Sequence, residues 1–116
     1  MLGMTLDAGA QLRKGVAEYA VLALLRREPM YGWQLSKELV ERGGFIASIG
    51  TLYPLLARLR GKDWVSTHDE ASVAGPSRKY YRLTASGQLA LDEFRVQWGG
   101  FSASVYALLE GEGSRD

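Results

Sequence analysis

The sequence predicts an α+β fold that is mostly helical and contains one short β-hairpin. Two patterns lead to this prediction. Apolar residues recur at helical spacing in four segments, and two segments rich in β-branched and aromatic residues lie between the third and the fourth. A chain of 116 residues with 47% hydrophobic residues also has the size and composition of one globular domain. We therefore expect one domain in which three helices precede the hairpin and one helix follows it.

The first helix is predicted over residues 12–27. Its apolar positions follow helical spacing and include Val16, Tyr19, Ala20, Ala23 and Leu24. We expect the helix to end before Pro29, because proline lacks the N–H group that a helix interior requires. Residues 1–11 contain two glycines and show no periodic pattern, so we expect a flexible N-terminal arm there.

A second, short helix is predicted over residues 31–42. Its apolar stripe consists of Trp33, Leu35, Leu39 and Val40. The Gly43-Gly44 pair that follows is a common helix end, because glycine readily adopts the left-handed conformation.

The third helix is predicted to begin after Ser48, a plausible N-cap residue. Its apolar stripe contains Ile49, Leu52, Leu56 and Leu59, at intervals of three and four residues. The opposite face carries Ser48, Thr51, Pro54 and Arg58. Pro54 lies beyond the first turn, where it removes one backbone hydrogen bond and is expected to bend the helix. A conflict of this kind between pattern and propensity marks function or strain.

The hairpin strands are predicted over residues 64–70 and 78–83, with a loop of turn residues over 71–77. Tyr80 and Tyr81 alternate along the second strand, so one is expected in the core and the other outside. Thr84 is predicted to cap a final helix over residues 84–111, which Gly99-Gly100 should weaken or bend. Residues 112–116 are assigned as a tail.

Three helices followed by a hairpin in this order are typical of a winged helix-turn-helix, here residues 12–83, with the third helix as DNA reader and the hairpin as wing. The net charge of +1 does not by itself indicate a polyanionic partner. However, residues 48–83 contain six cations against three acids, whereas residues 84–116 contain two cations against five acids. Positive charge therefore collects on the predicted reader and wing.

Candidate DNA contacts are the polar and cationic residues of these two elements: Ser48, Thr51, Tyr53, Pro54, Arg58, Ser77, Arg78 and Lys79. Tyr53 has a structural alternative, because its position leans toward the apolar stripe and a half-buried ring would serve packing. The wing cations also have a structural alternative, since charge protects an exposed edge strand.

The final helix has more apolar surface than one small domain covers, which predicts a homodimer.

Five fragments of the sequence resemble the PadR family of bacterial transcriptional regulators. They are Leu12-Arg-Lys-Gly-Val16, Pro29-Met-Tyr-Gly32, Gly50-Thr-Leu-Tyr-Pro54, Arg58-Leu59 and Arg78-Lys-Tyr-Tyr-Arg-Leu-Thr84, within a match over roughly residues 12–98. The resemblance implies a dimeric winged-helix repressor that binds a palindromic operator in double-stranded DNA and releases it on a signal. The single helix after the wing resembles the small subgroup of the family, in which that helix forms the dimer.

The same subgroup implies a ligand site. Some of its members hold planar aromatic drugs between tryptophans of the final helices, and Trp98 lies at the matching position. The drug binders carry an acid four residues further on, whereas this chain has Ser102 after Phe101. Gln11, Lys14 and Glu18 of the first helix are candidates to line the same pore, with Glu18 as a substitute acid. The alternative for Trp98 is a core or dimer-interface aromatic.

The sequence contains no cysteine and one histidine, His68, so a metal site is not expected and no cofactor is predicted. It contains neither a nucleophile elbow nor a phosphate-binding glycine loop, which argues against an enzyme. No segment reads as a membrane span or a secretion signal, so we expect a cytoplasmic protein. The alternative function is a winged-helix module for small molecules or proteins that does not read DNA sequence, which the near-neutral net charge favours.

Overall fold

The computed structural model describes residues 2–111, with side chains from residue 11 onward. Four helices and three strands follow one another along this part of the chain: α1 Leu2–Arg27, β1 Met30–Tyr31, α2 Gly32–Glu41, α3 Ile49–Gly61, β2 Val65–Ser72, β3 Gly75–Leu83 and α4 Ala85–Leu109. The fold is mostly helical with a small antiparallel sheet, which confirms the predicted fold class.

Helix α1 begins ten residues earlier than the sequence predicts, at Leu2. The expected arm over residues 1–11 is therefore wrong from residue 2 onward. Extending a helix adds one hydrogen bond for each residue fixed, so a stable segment over 12–27 can continue into a neighbour that contains no proline. Residue 1 and the predicted tail over 112–116 lie outside the described residues.

The core forms where the first three helices meet the sheet and the start of α4. Its fully buried side chains are mostly aliphatic: Val21, Leu22, Leu35, Leu39, Leu52, Leu56 and Leu59. Val65, Tyr81 and Leu91 join them from β2, β3 and α4. The predicted stripes of α2 and α3 supply five of the seven fully buried side chains, whereas only Leu24 of the named α1 positions is buried. Three residues of the predicted stripes are instead exposed, namely Trp33 at 56%, Val40 at 40% and Ile49 at 38%.

The sheet has the strand order β1-β3-β2, and both pairs are antiparallel. Strand β1 was not predicted, since two residues carry no periodicity. It pairs Met30 with Tyr81 and Tyr31 with Tyr80. The predicted seven-residue loop is wrong, because β2 and β3 pair as far as Ser72 with Gly75 and leave only a two-residue turn.

The two joints that set the positions of α3 and the wing follow local rules. At the end of α2, Gly44 has a φ of +63°, which glycine adopts without strain. At the start of α4, the Thr84 hydroxyl accepts a hydrogen bond from the Gly87 N–H at 2.9 Å, as predicted for a cap. The same hydroxyl donates to the Asp63 carbonyl at 2.6 Å. It thus ties the start of α4 to the turn that follows α3.

Helix α4 runs without interruption through Gly99 and Gly100. Its first half packs against α1 through buried Leu91 and partly buried Phe94. The molecule as a whole is elongated and measures 65 × 34 × 21 Å. Large apolar side chains along α4 are exposed: Leu89, Val96, Trp98, Phe101, Val105, Tyr106, Leu108 and Leu109. A single protomer therefore leaves a long apolar face uncovered.

Candidate nucleic-acid interface

The face of α3 that points away from the core is lined by small residues. Gly50, Pro54, Ala57 and Gly61 recur there at intervals of three and four, and all four are exposed. Glycine and alanine allow a helix backbone to approach another surface closely. The major groove of B-DNA, about 12 Å wide, admits an α-helix. This outer face of α3 is therefore shaped to enter such a groove.

One flank of the outer face adjoins the wing. Ile49 and Tyr53 of α3 line an open groove of about 440 Å³ together with Arg78 and Lys79 of β3, and Trp33 of α2 borders the same groove. Tyr53 is 50% exposed. Packing within the protein therefore accounts for only half of its surface.

The wing cation nearest to α2 is held in place by aromatic contacts. The Arg78 guanidinium lies 4.7 Å from the centre of the Tyr31 ring, and that ring meets Tyr80 edge to face at 5.4 Å. A cation over an aromatic face gains about 0.5–1 kcal/mol at an exposed site. Arg78 is thus oriented by β1 while its charge remains accessible.

The remaining predicted contacts are also exposed. Ser48, Thr51, Pro54 and Arg58 lie on the outer half of α3, and Ser77 and Lys79 lie on β3. Ser48 occupies the N-cap position with extended backbone, but its hydroxyl makes no capping hydrogen bond. Pro54 lies inside α3, which continues to Gly61. The structure therefore brings the predicted DNA-contact residues to one side of the molecule, on α3 and the adjacent wing.

The other flank of α3 is joined to α1 through Glu18. The carboxylate of Glu18 accepts a hydrogen bond from Arg58 Nε at 2.9 Å and another from Lys62 Nζ at 2.9 Å. Its side chain is 16% exposed, whereas that of Arg58 remains 55% exposed. Burial raises the pKa of Glu18, but the hydrogen bonds and charges of Lys62 and Arg58 outweigh it and hold the pKa below its ordinary value. Glu18 is therefore a charged carboxylate that fixes two cations of α3.

A second open groove, of about 650 Å³, lies along this flank. Arg13 and Lys14 of α1 line it opposite Thr51, Pro54 and Arg58 of α3. Lys14 and Glu18 were predicted to line a pore at the centre of a dimer, and this stays a prediction. Within the single chain they lie on the α3 side of α1. A helix presents residues to both sides, and sequence spacing did not identify which side α3 occupies.

An aromatic pocket of about 430 Å³ lies between the opposite side of α1 and α4. The Tyr19 and Phe94 rings stack with centres 4.2 Å apart and planes 5° from parallel, and Trp98 stacks on Phe94 at 6.0 Å. Arg26 and Arg95 supply the charged side chains of the lining.

The other predicted ligand residues are distributed around this region. Phe101 lies 6.2 Å from the Trp98 ring. Ser102 is half-buried and its hydroxyl donates to the Gly99 carbonyl at 3.3 Å. Gln11 is exposed on α1. None of the three lines the aromatic pocket of the protomer, so of the predicted set only Trp98 does.

His68 lies on β2, where its ring stacks on Tyr80 and its Nε2 atom is 2.9 Å from Glu70 Oε2. Within the part of the chain that the structure describes, no three histidine, aspartate or glutamate side chains form a group that could hold a metal ion. Likewise, no described helix is long and apolar enough to cross a bilayer.

Two residues of this surface were not predicted from the sequence. Trp33 was assigned to the apolar stripe of α2, but the buried positions are Gly32, Leu35, Ser36 and Leu39, and a residue one step from Gly32 is rotated by about 100°. The helical positions of Leu35 and Leu39 could have predicted that Trp33 is exposed. Arg13 carries no comparable signal, because its position depends on how α1 packs against α3.

The model of the PadR-like family of transcriptional regulators matches residues 21–93, from the last third of α1 to the first half of α4. The chain belongs to this family. As a PadR-like protein it is a DNA-binding transcriptional regulator and not an enzyme. The reader and the wing both lie inside the matched range, whereas Arg13, Lys14, Glu18 and Trp98 lie outside it.

Solved structures of other PadR proteins have the same fold. A PadR-like transcriptional regulator from Bacillus cereus is 39% identical, with a TM-score of 0.78 over 85% of this chain and 96% of that one. A PadR family regulator from Eggerthella lenta is 35% identical, with a TM-score of 0.83 over 93% of this chain and 94% of the other. A transcriptional regulator of Mycobacterium tuberculosis is 41% identical over 66 residues, which cover 57% of this chain and 60% of that protein.

Proposed function

We propose that this PadR-like protein is a homodimeric, ligand-responsive repressor that binds a palindromic operator through α3 and the wing. The observation that carries the proposal is the outer face of α3, whose small residues lie between exposed Thr51 and Arg58 on one flank and Tyr53 on the other. In this arrangement hydroxyl and guanidinium groups of α3 reach base edges and phosphates while the backbone enters the groove. Arg78 and Lys79 of the wing then meet the adjacent backbone.

The test compares Arg58→Ala with Lys79→Ala in duplex binding at several salt concentrations. The duplexes are an operator recovered by selection of bound genomic fragments and a random sequence. We expect Arg58→Ala to weaken operator binding more than random binding, because a guanidinium at a base edge contributes specificity. Lys79→Ala should weaken both and reduce the slope of log affinity against log salt by about one, because each phosphate contact releases about 0.9 of a counterion.

Two results would count against this proposal. Equal affinities of both variants and the parent protein would remove the α3 and wing surface as the DNA site. Equal affinity of the parent for operator and random duplex would favour the alternative module that does not read sequence. Transcription from an operator-bearing template, with and without the protein, tests the repressor role.

The homodimer is supported by the uncovered apolar face of α4. Exposed contiguous apolar surface of this extent marks an interaction site, and a two-fold dimer buries the same patch on both copies. Phe101 is 64% exposed near the middle of that face. We expect the parent protein to be a dimer by light scattering and Phe101→Glu to be a monomer with unchanged circular dichroism. A two-fold dimer presents two α3 helices, which is why the operator should be palindromic.

Ligand response is proposed through the aromatic pocket between α1 and α4. The parallel rings of Tyr19, Phe94 and Trp98 form a series on which a planar aromatic molecule can stack. The charges at the lining are those of Arg26 and Arg95, which disfavour a cationic ligand. A ligand changes operator affinity only if it binds the two dimer shapes unequally. The two helices that form the pocket, α1 and α4, are also joined to the elements that bind DNA. A change in the width of the pocket can therefore change the separation of the two α3 helices in the dimer.

A further inference from the structure

A helix in the major groove has a sugar-phosphate backbone on each side of it, because the groove is bordered by both strands. The wing lies beside only one flank of α3, where Arg78 and Lys79 share a groove with Ile49 and Tyr53. The backbone at the other edge of the same major groove therefore requires a different set of cations. That set must lie on the α1 side of α3.

Four cations occupy that side, and we name them the α1 strip: Arg13, Lys14, Arg58 and Lys62. Arg13, Lys14 and Arg58 line the open groove between α1 and α3, and Lys62 lies one turn beyond Arg58. All four are exposed. The hydroxyl residue Thr51 borders the same groove and adds a neutral donor for a phosphate oxygen.

Among the described residues, Glu18 is the carboxylate that pairs with this strip. Both oxygens of Glu18 accept hydrogen bonds, one from Arg58 and one from Lys62. Glu18 therefore holds these two cations at the surface, and its one negative charge leaves the four cations of the strip in excess. The remaining nitrogens of Arg58 are left for other acceptors, since only its Nε is used.

Arg13 also lies toward α3 and not toward α4. Its Cδ and Nε atoms are 3.9 Å from the place where a Cβ at Gly44 would lie, in the turn that leads into α3. Arg13 and Lys14 thus extend the cationic surface of α3 across onto α1. An excess of positive charge along an open groove beside α3 complements the charge of a phosphate backbone.

We propose that Arg13, Lys14 and Lys62 of the α1 strip bind the sugar-phosphate backbone on the edge of the major groove opposite the wing, beside the base edge that Arg58 contacts, so that α3 is held between two phosphate contacts. Arg13 and Lys14 are the new DNA contacts in this arrangement, and Glu18 is a positioning residue for Arg58 and Lys62. The proposal rests on DNA reading by α3. It gives α1 a direct role in operator affinity, in addition to the roles of α3 and the wing.

The test uses the full-length double variant Arg13→Gln/Lys14→Gln, because glutamine keeps the helix and the side-chain length while removing charge. A matched control is Arg27→Gln/Lys37→Gln. It removes the same charge from residues that lie toward Glu38 and Glu41, away from the outer face of α3. Both are compared with the parent on the selected operator and on a random duplex across a salt series, with thermal unfolding as a check on folding.

We expect the Arg13→Gln/Lys14→Gln variant to lose roughly fivefold in affinity per phosphate contact at physiological salt and to have a salt slope smaller by about two. The loss should be the same on operator and random duplex, because phosphates carry no sequence. The matched control should keep the parent slope. A parent-like slope in the Arg13→Gln/Lys14→Gln variant, or an equal loss in the control, overturns the proposal.

Neutral methylphosphonates placed in the operator locate the contact. Neutralising the phosphates on the edge opposite the wing should weaken the parent more than the Arg13→Gln/Lys14→Gln variant, which keeps only Lys62 of the three phosphate-binding cations, whereas neutralising the wing edge should weaken both equally. If the same neutralised positions affect both proteins alike, the α1 strip does not touch that backbone. If the parent shows no salt-dependent duplex binding at all, the DNA-reading function has failed instead of this inference.

Discussion

Glu18 and Tyr19 are consecutive residues of α1, yet their side chains join α1 to opposite parts of the molecule. The Glu18 carboxylate pairs with Arg58 of α3 and with Lys62 directly after it, and the Tyr19 ring stacks on Phe94 of α4 at 4.2 Å. A displacement of α1 relative to α4 therefore also acts on the ion pairs with α3. We interpret α1 as the physical connection between the aromatic pocket and the DNA-reading surface.

The first prediction concerns the stability that Glu18 provides. Glu18→Gln should lower the free energy of unfolding by about 1 kcal/mol at neutral pH, the upper end for partly exposed ion pairs. Because the pKa of Glu18 is lowered on folding from its ordinary value of 4.5, its contribution is present above that value and disappears as pH falls through the folded pKa. Urea unfolding of both proteins across this pH range measures the difference.

The control for this experiment is Glu41→Gln. Glu41 pairs with Lys37 within α2, and these side chains are 63% and 50% exposed, respectively. The control should change stability by no more than a few tenths of a kcal/mol. A pH-independent difference for Glu18→Gln would show that its charge is not the stabilising feature.

The second prediction concerns Gly87 in the first turn of α4. A Cβ at this position would lie 2.1 Å from the Trp64 carbonyl oxygen and 2.7 Å from Leu83 Cδ1. The backbone of Trp64 cannot move without disturbing β2, so Gly87→Ala should lower the free energy of unfolding by about 3 kcal/mol. Gly15→Ala, with open space around its Cβ, should instead be neutral or slightly stabilising in denaturant unfolding.

The third prediction uses Gly32 to displace Tyr53. A Cβ at Gly32 would lie 2.8 Å from the Tyr53 hydroxyl, which belongs to an exposed side chain that can move away. Gly32→Ala should therefore cost less than about 1 kcal/mol in stability, while operator affinity falls because Tyr53 is displaced in the groove between α3 and the wing. In a Tyr53→Ala background the Gly32 substitution should have no further effect on DNA binding. Unchanged operator affinity of Tyr53→Ala alone would assign Tyr53 to packing.

The fourth prediction concerns the Gly99-Gly100 pair. A Cβ at either residue meets no atom within 4 Å in the protomer. We expect Gly99→Ala/Gly100→Ala to raise the thermal midpoint, because each replacement in a helix interior contributes about 0.5–1 kcal/mol. A weaker dimer by light scattering, despite the higher helicity, would instead identify the pair as a place where the partner helix crosses closely.

The fifth prediction concerns the aromatic pocket. Planar aromatic molecules without positive charge should quench tryptophan fluorescence of the parent and bind Trp98→Ala about tenfold more weakly, because one stacking partner is lost. Trp33 and Trp64 contribute to both signals, so the difference between the two proteins is the quantity to use. Equal affinities would leave Trp98 as an interface residue.

The sequence predicted the elements whose ends carry local signals. The end of α1 before Pro29, the glycine stop at Gly44 and the Thr84 cap are all present in the structure. Strand β1 was missed because two residues have no period, and it exists only through its pairing with β3. Gly75-Pro76 resembles a turn, but β3 is an edge strand at that end of the sheet, and edge strands accept proline.

The same distinction between local and tertiary signals applies to the residues of the site. The exposed face of α3 was predictable because the side of a helix that faces outward follows from its own buried stripe. The Glu18–Arg58 pair joins residues 40 positions apart, so no local pattern contains it. The pairing of Glu18 with α3 was consequently not predicted, and Arg13 was not among the candidate site residues. Both omissions have one cause, namely that the packing of α1 against α3 is a tertiary feature.

Strand β1 has a consequence for the energetics of association. Tyr31 both pairs with Tyr80 of the wing and precedes α2, where its N–H donates to Gln34 Oε1 at 3.0 Å. The base of the wing is thus ordered before DNA is present, and a preordered arm loses less conformational entropy on binding. The turn at Val73 and Ala74 is the outermost part of the wing, between paired Ser72 and Gly75. It is the position where a change in loop length would alter the reach of the wing while leaving its base in register.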